Sequence, residues 1–209
     1  MLRKYASHLR LAEGQQGGFK VNKKTKNMVG VALFTAIVVV LQFLGGGIRV
    51  GGMFSISLVL VPIVVGAAVY GWQAGAWLGF AFGAAVLLSG DAAAFLVIDF
   101  MATIFVVLLK GTVCGLAAGL AYKALSGKGN RLAVYTAAIL CPVCNTGIFL
   151  MGCQLFFLET VAEWGKALGF EDAYAYMFLG LAGINFLIEI IVNIVLAPVI
   201  IRLIKAGKA

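Results

Sequence analysis

Six long apolar runs, separated by short polar or glycine-rich breaks, limit this chain more than any other feature. They cover about residues 29–44, 56–71, 73–89, 100–124, 132–157 and 174–204. In water such runs would have no partner large enough to bury them; in a bilayer, a run of about 20 apolar residues is the length of one helical crossing. With 63% hydrophobic and 11% charged residues among 209, and a mean hydropathy of +1.06, the chain reads as an all-α integral membrane protein with six transmembrane helices. Residues 29–209 form a single membrane domain and leave no room for a large soluble one. Pro62 is expected to kink the second run, and Pro142 and Pro198 the fifth and sixth.

The net charge of +8 would suggest nucleic acid in a soluble protein, but here the basic residues cluster near helix ends. Residues 1–28 carry Arg3, Lys4, Arg10, Lys20, Lys23, Lys24 and Lys26 against the single acid Glu13, and read as a disordered basic tail that is retained. Lys123, Lys128 and Arg131 follow the fourth run, and Arg202, Lys205 and Lys208 close the chain. Placing the tail in the cytoplasm puts thirteen of the sixteen basic residues inside. The outer side then receives Asp91, Glu159, Glu163, Glu171 and Asp172, so an even number of spans with both termini cytoplasmic is expected. Partners are therefore the lipid bilayer and what lies within it, not nucleic acid.

Polar residues inside the runs mark the candidate site. Asn185, Glu189 and Asn193 are four apart and share one stripe of a helix near mid-span. A carboxylate there costs several kcal/mol unless it is paired or faces water, which makes it a functional candidate. Lys110 and Asn145 fall at similar depth in the fourth and fifth runs, so an ammonium, a carboxylate and amides can meet one another or a ligand. A purely structural Lys110–Glu189 ion pair is the alternative. Asp99, at the outer mouth of the fourth run, reads equally as a pocket residue or an interface carboxylate. Arg49 and Phe54 lie in the glycine-rich segment 45–55, which reads as a mobile lid or a plain connector. Segment 158–173, with Trp164 and Phe170, suggests a short interfacial helix.

Other features read as structural. Gly75, Gly79 and Gly83 recur every fourth residue and favour close helix packing over contact with substrate. Cys141 and Cys144 form a CxxC pair inside an apolar helix, where thiols stay protonated, and nothing in the sequence brings Cys114 or Cys153 near them. His8, the single histidine, sits in the tail, and neither a metal nor a cofactor is called for. There is no phosphate-binding loop and no hydrolase motif, so the chain is not read as an enzyme and any driving force comes from a partner or an ion gradient.

From Lys23 onward the chain resembles the substrate-binding S components of energy-coupling factor (ECF) vitamin transporters. The resemblance rests on six spans with both ends inside, on Ala32 and Ala36 in the first helix, and on SLVLVPIVVGAAVYGWQAGAWLGFAFG over 57–83. KGTVCGLAAGL over 110–120 and CPVCNTGIF over 141–149 add to it. It implies a cell-membrane subunit that binds a vitamin or related micronutrient, riboflavin-like or pantothenate-like, near its outer face. Lys110 and Glu189 would then lie at or below the pocket floor. Trp72, Trp77, Phe54 and the phenylalanines are candidates to stack on a ring. The resemblance also implies a transmembrane coupling protein, met by the Ala32 and Ala36 face, and two cytoplasmic ATPases. The competing reading is a self-sufficient, ion-coupled secondary transporter of a small polar solute with Glu189 as proton site.

Overall fold

The computed structural model describes residues 22–45, 49–50, 54–55 and 58–208. Residues 1–30 and 31–209 form two compact units. Of the first, the described part is residues 22–30, helical from Lys23; the rest of the expected tail lies outside the described residues. Helix α1 therefore starts at Lys23 and runs to Gly45, earlier than the hydropathy boundary at residue 29 suggested. Lysines carry good helix propensity, so the helix continues past the apolar stretch.

The elements after α1 are a small ladder of β1 (Arg49–Val50) with β2 (Phe54–Ser55), then α2 (Leu60–Tyr70), α3 (Trp72–Ser89) and the single turn α4 (Ala93–Leu96). The chain continues through α5 (Phe100–Leu125), α6 (Asn130–Phe156), α7 (Leu158–Ala167), the turn α8 (Ala173–Ala175), a π-helical segment (Tyr176–Gly183) and α9 (Ile184–Lys208). The glycine-rich segment read as a lid thus contains an antiparallel pairing, Arg49 with Ser55 and Val50 with Phe54.

Among the described residues, five helical stretches are long and apolar enough to cross a membrane; the second run is not one of them. Helix α2 has 11 residues, about 16 Å at 1.5 Å per residue against a hydrocarbon core of about 30 Å. It is instead almost wholly buried, from Leu60 through Ala68 except Val61. Pro62 falls in its first turn, where amide hydrogens have no helical acceptor to lose, so the expected mid-helix kink has no basis. Gly71, at φ +97°, turns the chain from α2 into α3, a conformation that side chains with a Cβ disfavour. Pro142 and Pro198 lie inside α6 and α9.

The tightest contact is between α3 and α5. Gly75, Gly79 and Gly83 on α3 face Gly115, Gly111 and Val107 on α5, backbone against backbone. A Cβ at Gly75 would stand 2.5 Å from the Gly115 carbonyl oxygen, and one at Gly83 would stand 2.8 Å from that of Val107. At Gly79 and Gly111 a Cβ would meet the opposite helix's carbonyl closer still. The packing reading of the α3 ridge is what the structure has, with a matching ridge on α5. Close approach of this kind supplies the dispersion that holds helices together in lipid.

Two cores flank this seam. The larger gathers α2, α3 and parts of α5, α6 and α9, including Leu60, Ile63, Leu78, Cys114, Ala137 and Ile200. The smaller is an aromatic cap built on Phe95, Phe157, Val161, Tyr176 and Met177. Phe95 meets Phe149, Phe157 and Trp164 edge to face, with ring centroids 5.7, 5.1 and 5.3 Å away. Helix α7 lies within segment 158–173, with Val161 and Gly165 buried. Outward, Phe105, Leu109, Met151, Leu155, Leu187, Ile191 and Val195 form an exposed apolar belt suited to lipid.

Substituting Gly79→Leu should force the α3–α5 seam apart, costing at least about 1–3 kcal/mol by overpacking. A thermal melt of the detergent-purified protein checks this, with Leu88→Ala, at an exposed position on the same helix, expected to melt like wild type.

Candidate functional site

A cavity of about 100 Å³ lies between the two cores. That is room for roughly eight waters, or for a small ligand's head group or ring. Its walls come from one end of each long helix. Gln42 stands near the end of α1, Phe82 and Val86 on the later part of α3, Asp91, Ala92 and Phe95 at the α3–α4 corner, Thr103 to Lys110 on the first half of α5, Asn145 to Cys153 on the second half of α6, and Phe157 just past its end. Leu181 and Ala182 of the π segment and Asn185, Phe186 and Glu189 of α9 complete it. On α5, α6 and α9 the lining residue deepest in the bundle is the polar one singled out by depth. Phe82, Lys110, Asn145 and Glu189 thus make the floor, and the Phe95 and Phe157 rings of the aromatic cap stand over it.

The α3–α5 seam positions Lys110 directly, because Gly111 next to it is pinned against Gly79. Its ammonium lies over two rings, 5.8 Å from the centroid of Phe82 and 5.4 Å from that of Phe149. A cation over a ring face gains about 0.5–2 kcal/mol, more when water is excluded. Glu189 and Asp91 are near enough to act on its charge. These groups share one cavity wall. Asn145, 5% exposed, turns an amide to this floor, and among the described residues its Oδ1 has no hydrogen-bond partner. Asn193, one turn past Glu189, is not among the lining residues and donates from Nδ2 to the Glu189 carbonyl oxygen at 2.8 Å.

Lys110, Asn145, Asn185 and Glu189 are thus brought together on one surface, as their shared depth suggested. Asp99 is not among the lining residues. It is exposed and caps α5, accepting the Ala102 amide at 2.9 Å through Oδ1, a role that neither of its two readings named. Arg49 and Phe54 sit on the β1–β2 ladder, and their side chains lie outside the described ones. Trp72 and Trp77 do not stack in the cavity. Trp72 packs its backbone on Gly119, and Trp77 donates to the Thr35 hydroxyl at 3.2 Å.

Several wall residues were missed by the search for mid-span charges. Gln42 is 3% exposed and donates to Asp91 and, at 3.2 Å, to Ser89 Oγ, tying the end of α1 to the α3–α4 corner. A glutamine in an otherwise apolar run was a usable signal. Thr103 and Thr146 gave none, because threonines in membrane helices commonly bond back to their own turn, as Thr103 does to the Asp99 carbonyl at 2.6 Å. The π-helical segment had no sequence signature either. It stands just before Asn185, and such segments occur disproportionately at functional sites.

The cysteines need one correction. Cys114 lies beside Cys141 of the CxxC pair, which no stretch of sequence reveals, and donates to the Gly111 carbonyl at 3.0 Å. Both are fully buried, and all four cysteines are free thiols. Among the described residues no cluster of three or more acids, histidines and cysteines is arranged to hold a metal ion.

A family model described as "ECF transporter, substrate-specific component" matches residues 26–201. No curated protein and no solved structure gives a match. In the folded protein, Cys114 and Cys141 should resist maleimide labelling and react only after denaturation in SDS, as burial dictates. Rapid labelling of either without denaturant, followed by mass spectrometry, would show that their surroundings open to water.

Proposed function

The chain belongs to the family of ECF transporter substrate-specific components, a multi-pass, substrate-binding transporter subunit of the membrane, and from this premise we propose that it captures a vitamin or related micronutrient for an ATP-driven importer. The observation that carries the proposal is the floor of Lys110, Asn145 and Glu189, with Asn185 beside it, enclosed between aromatic rings. Riboflavin-like and pantothenate-like molecules are both candidates. Uphill passage then depends on a transmembrane coupling protein and two cytoplasmic ATPases, since the sequence holds no phosphate-binding loop of its own.

In the proposed topology the chain crosses six times with both ends in the cytoplasm, α2 and the extended residues ahead of it serving as the short second pass. The charge asymmetry supports this, and it puts the cavity in the outer half of a prokaryotic cell membrane. Ala32 and Ala36 are exposed on α1, on a helix that buries only Val38 and Gln42. We assign this small-residue face to the coupling protein, because closely approaching helices need small side chains at the contact.

Two experiments test the assignment. Ala32→Trp and Ala36→Trp should abolish uptake in cells that carry the coupling module, yet leave ligand affinity of the purified protein unchanged; loss of binding in both would move the interface elsewhere. Asn185→Ala should weaken ligand binding by about 1–3 kcal/mol through a lost buried hydrogen bond. Uptake by the chain in cells lacking the ATPases, abolished by Glu189→Gln, would favour an ion-coupled transporter instead.

A further inference from the structure

We infer that the ligand is a neutral or cationic nitrogen heteroaromatic ring whose edge carries a hydrogen-bond donor beside an acceptor, and not a small organic acid. The inference rests on the binding-subunit function proposed above and narrows it to a substrate class.

The first argument is charge. Among the described residues the cavity wall holds one ammonium, Lys110, and two carboxylates, Glu189 and Asp91, both acting on it. Both carboxylates stand in the same wall as the Lys110 ammonium, and rings lie beside it on two sides. A carboxylate ligand would bring a third negative group into a space with a single positive one, where little water screens the repulsion. A neutral ring adds no such cost, and a cationic one is favoured.

The second argument is the hydrogen-bond pattern. Asn145 presents a buried amide whose Oδ1 has no partner among the described residues, and an unmet buried acceptor is costly until something donates to it. A carboxamide offers one donor and one acceptor side by side, the arrangement by which asparagine pairs in bidentate fashion with a base edge. Exchanging its oxygen and nitrogen reverses the order without changing this complementarity.

The third is shape. Phe82, Phe95, Phe149, Phe157 and Phe186 surround the same small space. Flat faces stack on such rings with little dependence on substituents.

Isothermal titration of the full-length chain in detergent, with lumazine (pteridine-2,4-dione) as the probe, tests the class; nicotinate, a ring that is an anion, and pantothenate, an acyclic anion, serve as contrasts. Lumazine should bind, neither acid should displace it, and Asn145→Asp and Asn145→Leu should each weaken it by at least about tenfold. Asn145→Asp preserves size while removing the amide donor, and an unchanged elution profile and melting temperature for either variant excludes misfolding as the cause. Binding of nicotinate or pantothenate without lumazine would overturn the class and leave the binding-subunit function standing. So would failure of all three probes to bind. Equal lumazine affinity in wild type and in a folded Asn145 variant would overturn the edge contact. The function itself is read separately: failure of the chain to co-purify with a transmembrane coupling protein and its ATPases would remove it whatever the probes do.

Discussion

The approach of α3 to α5 without intervening side chains is the constraint from which the rest follows. Glycines on each helix let carbonyl oxygens of one lie against the backbone of the other, leaving no space for even a methyl group. In lipid, where apolar burial gives no driving force between helices, this contact is what fixes register. Register in turn places Lys110, which adjoins one of those glycines, beside the rings of Phe82 and Phe149.

Around that rigid pair the bundle is uneven. Helix α2 is short and buried, whereas α1 is held mainly along one edge, by Thr35 against Trp77, Phe34 against Tyr70 and Gln42 against Asp91 and Ser89. Polar ties at the end of α1 lie beside the cavity, and the exposed alanines lie farther back along the same helix. A helix anchored by a few specific bonds rather than by a broad apolar face yields at lower cost than the α3–α5 seam. Ligand site and proposed partner face therefore share the most weakly packed long helix.

The cavity itself sits where two differently built cores meet. Below it, small and branched side chains pack at high density; above it, aromatic rings meet edge to face around Phe95. Rings packed in this way leave gaps that close-packed aliphatic side chains do not, so a space at the junction is a natural result. Lysine and glutamate are tolerated there because each faces the other's charge, the rings and the cavity rather than lipid.

The sequence by itself determined the class of protein, the placement of most helices and the depth of Lys110, Asn145, Asn185 and Glu189, because hydropathy and the 3.6-residue period are local properties that lipid enforces. Tertiary structure alone decided what met what. It paired the glycines of α3 with those of α5, shortened the second span to a buried helix, made Asp99 a cap, brought Cys114 to Cys141 and admitted Gln42, Asp91 and the phenylalanines to the cavity wall. Those outcomes depend on the rotation of each helix about its axis and on contacts between residues tens of positions apart. No window of sequence encodes them, since the same apolar run can face lipid, core or cavity until its neighbours are in place.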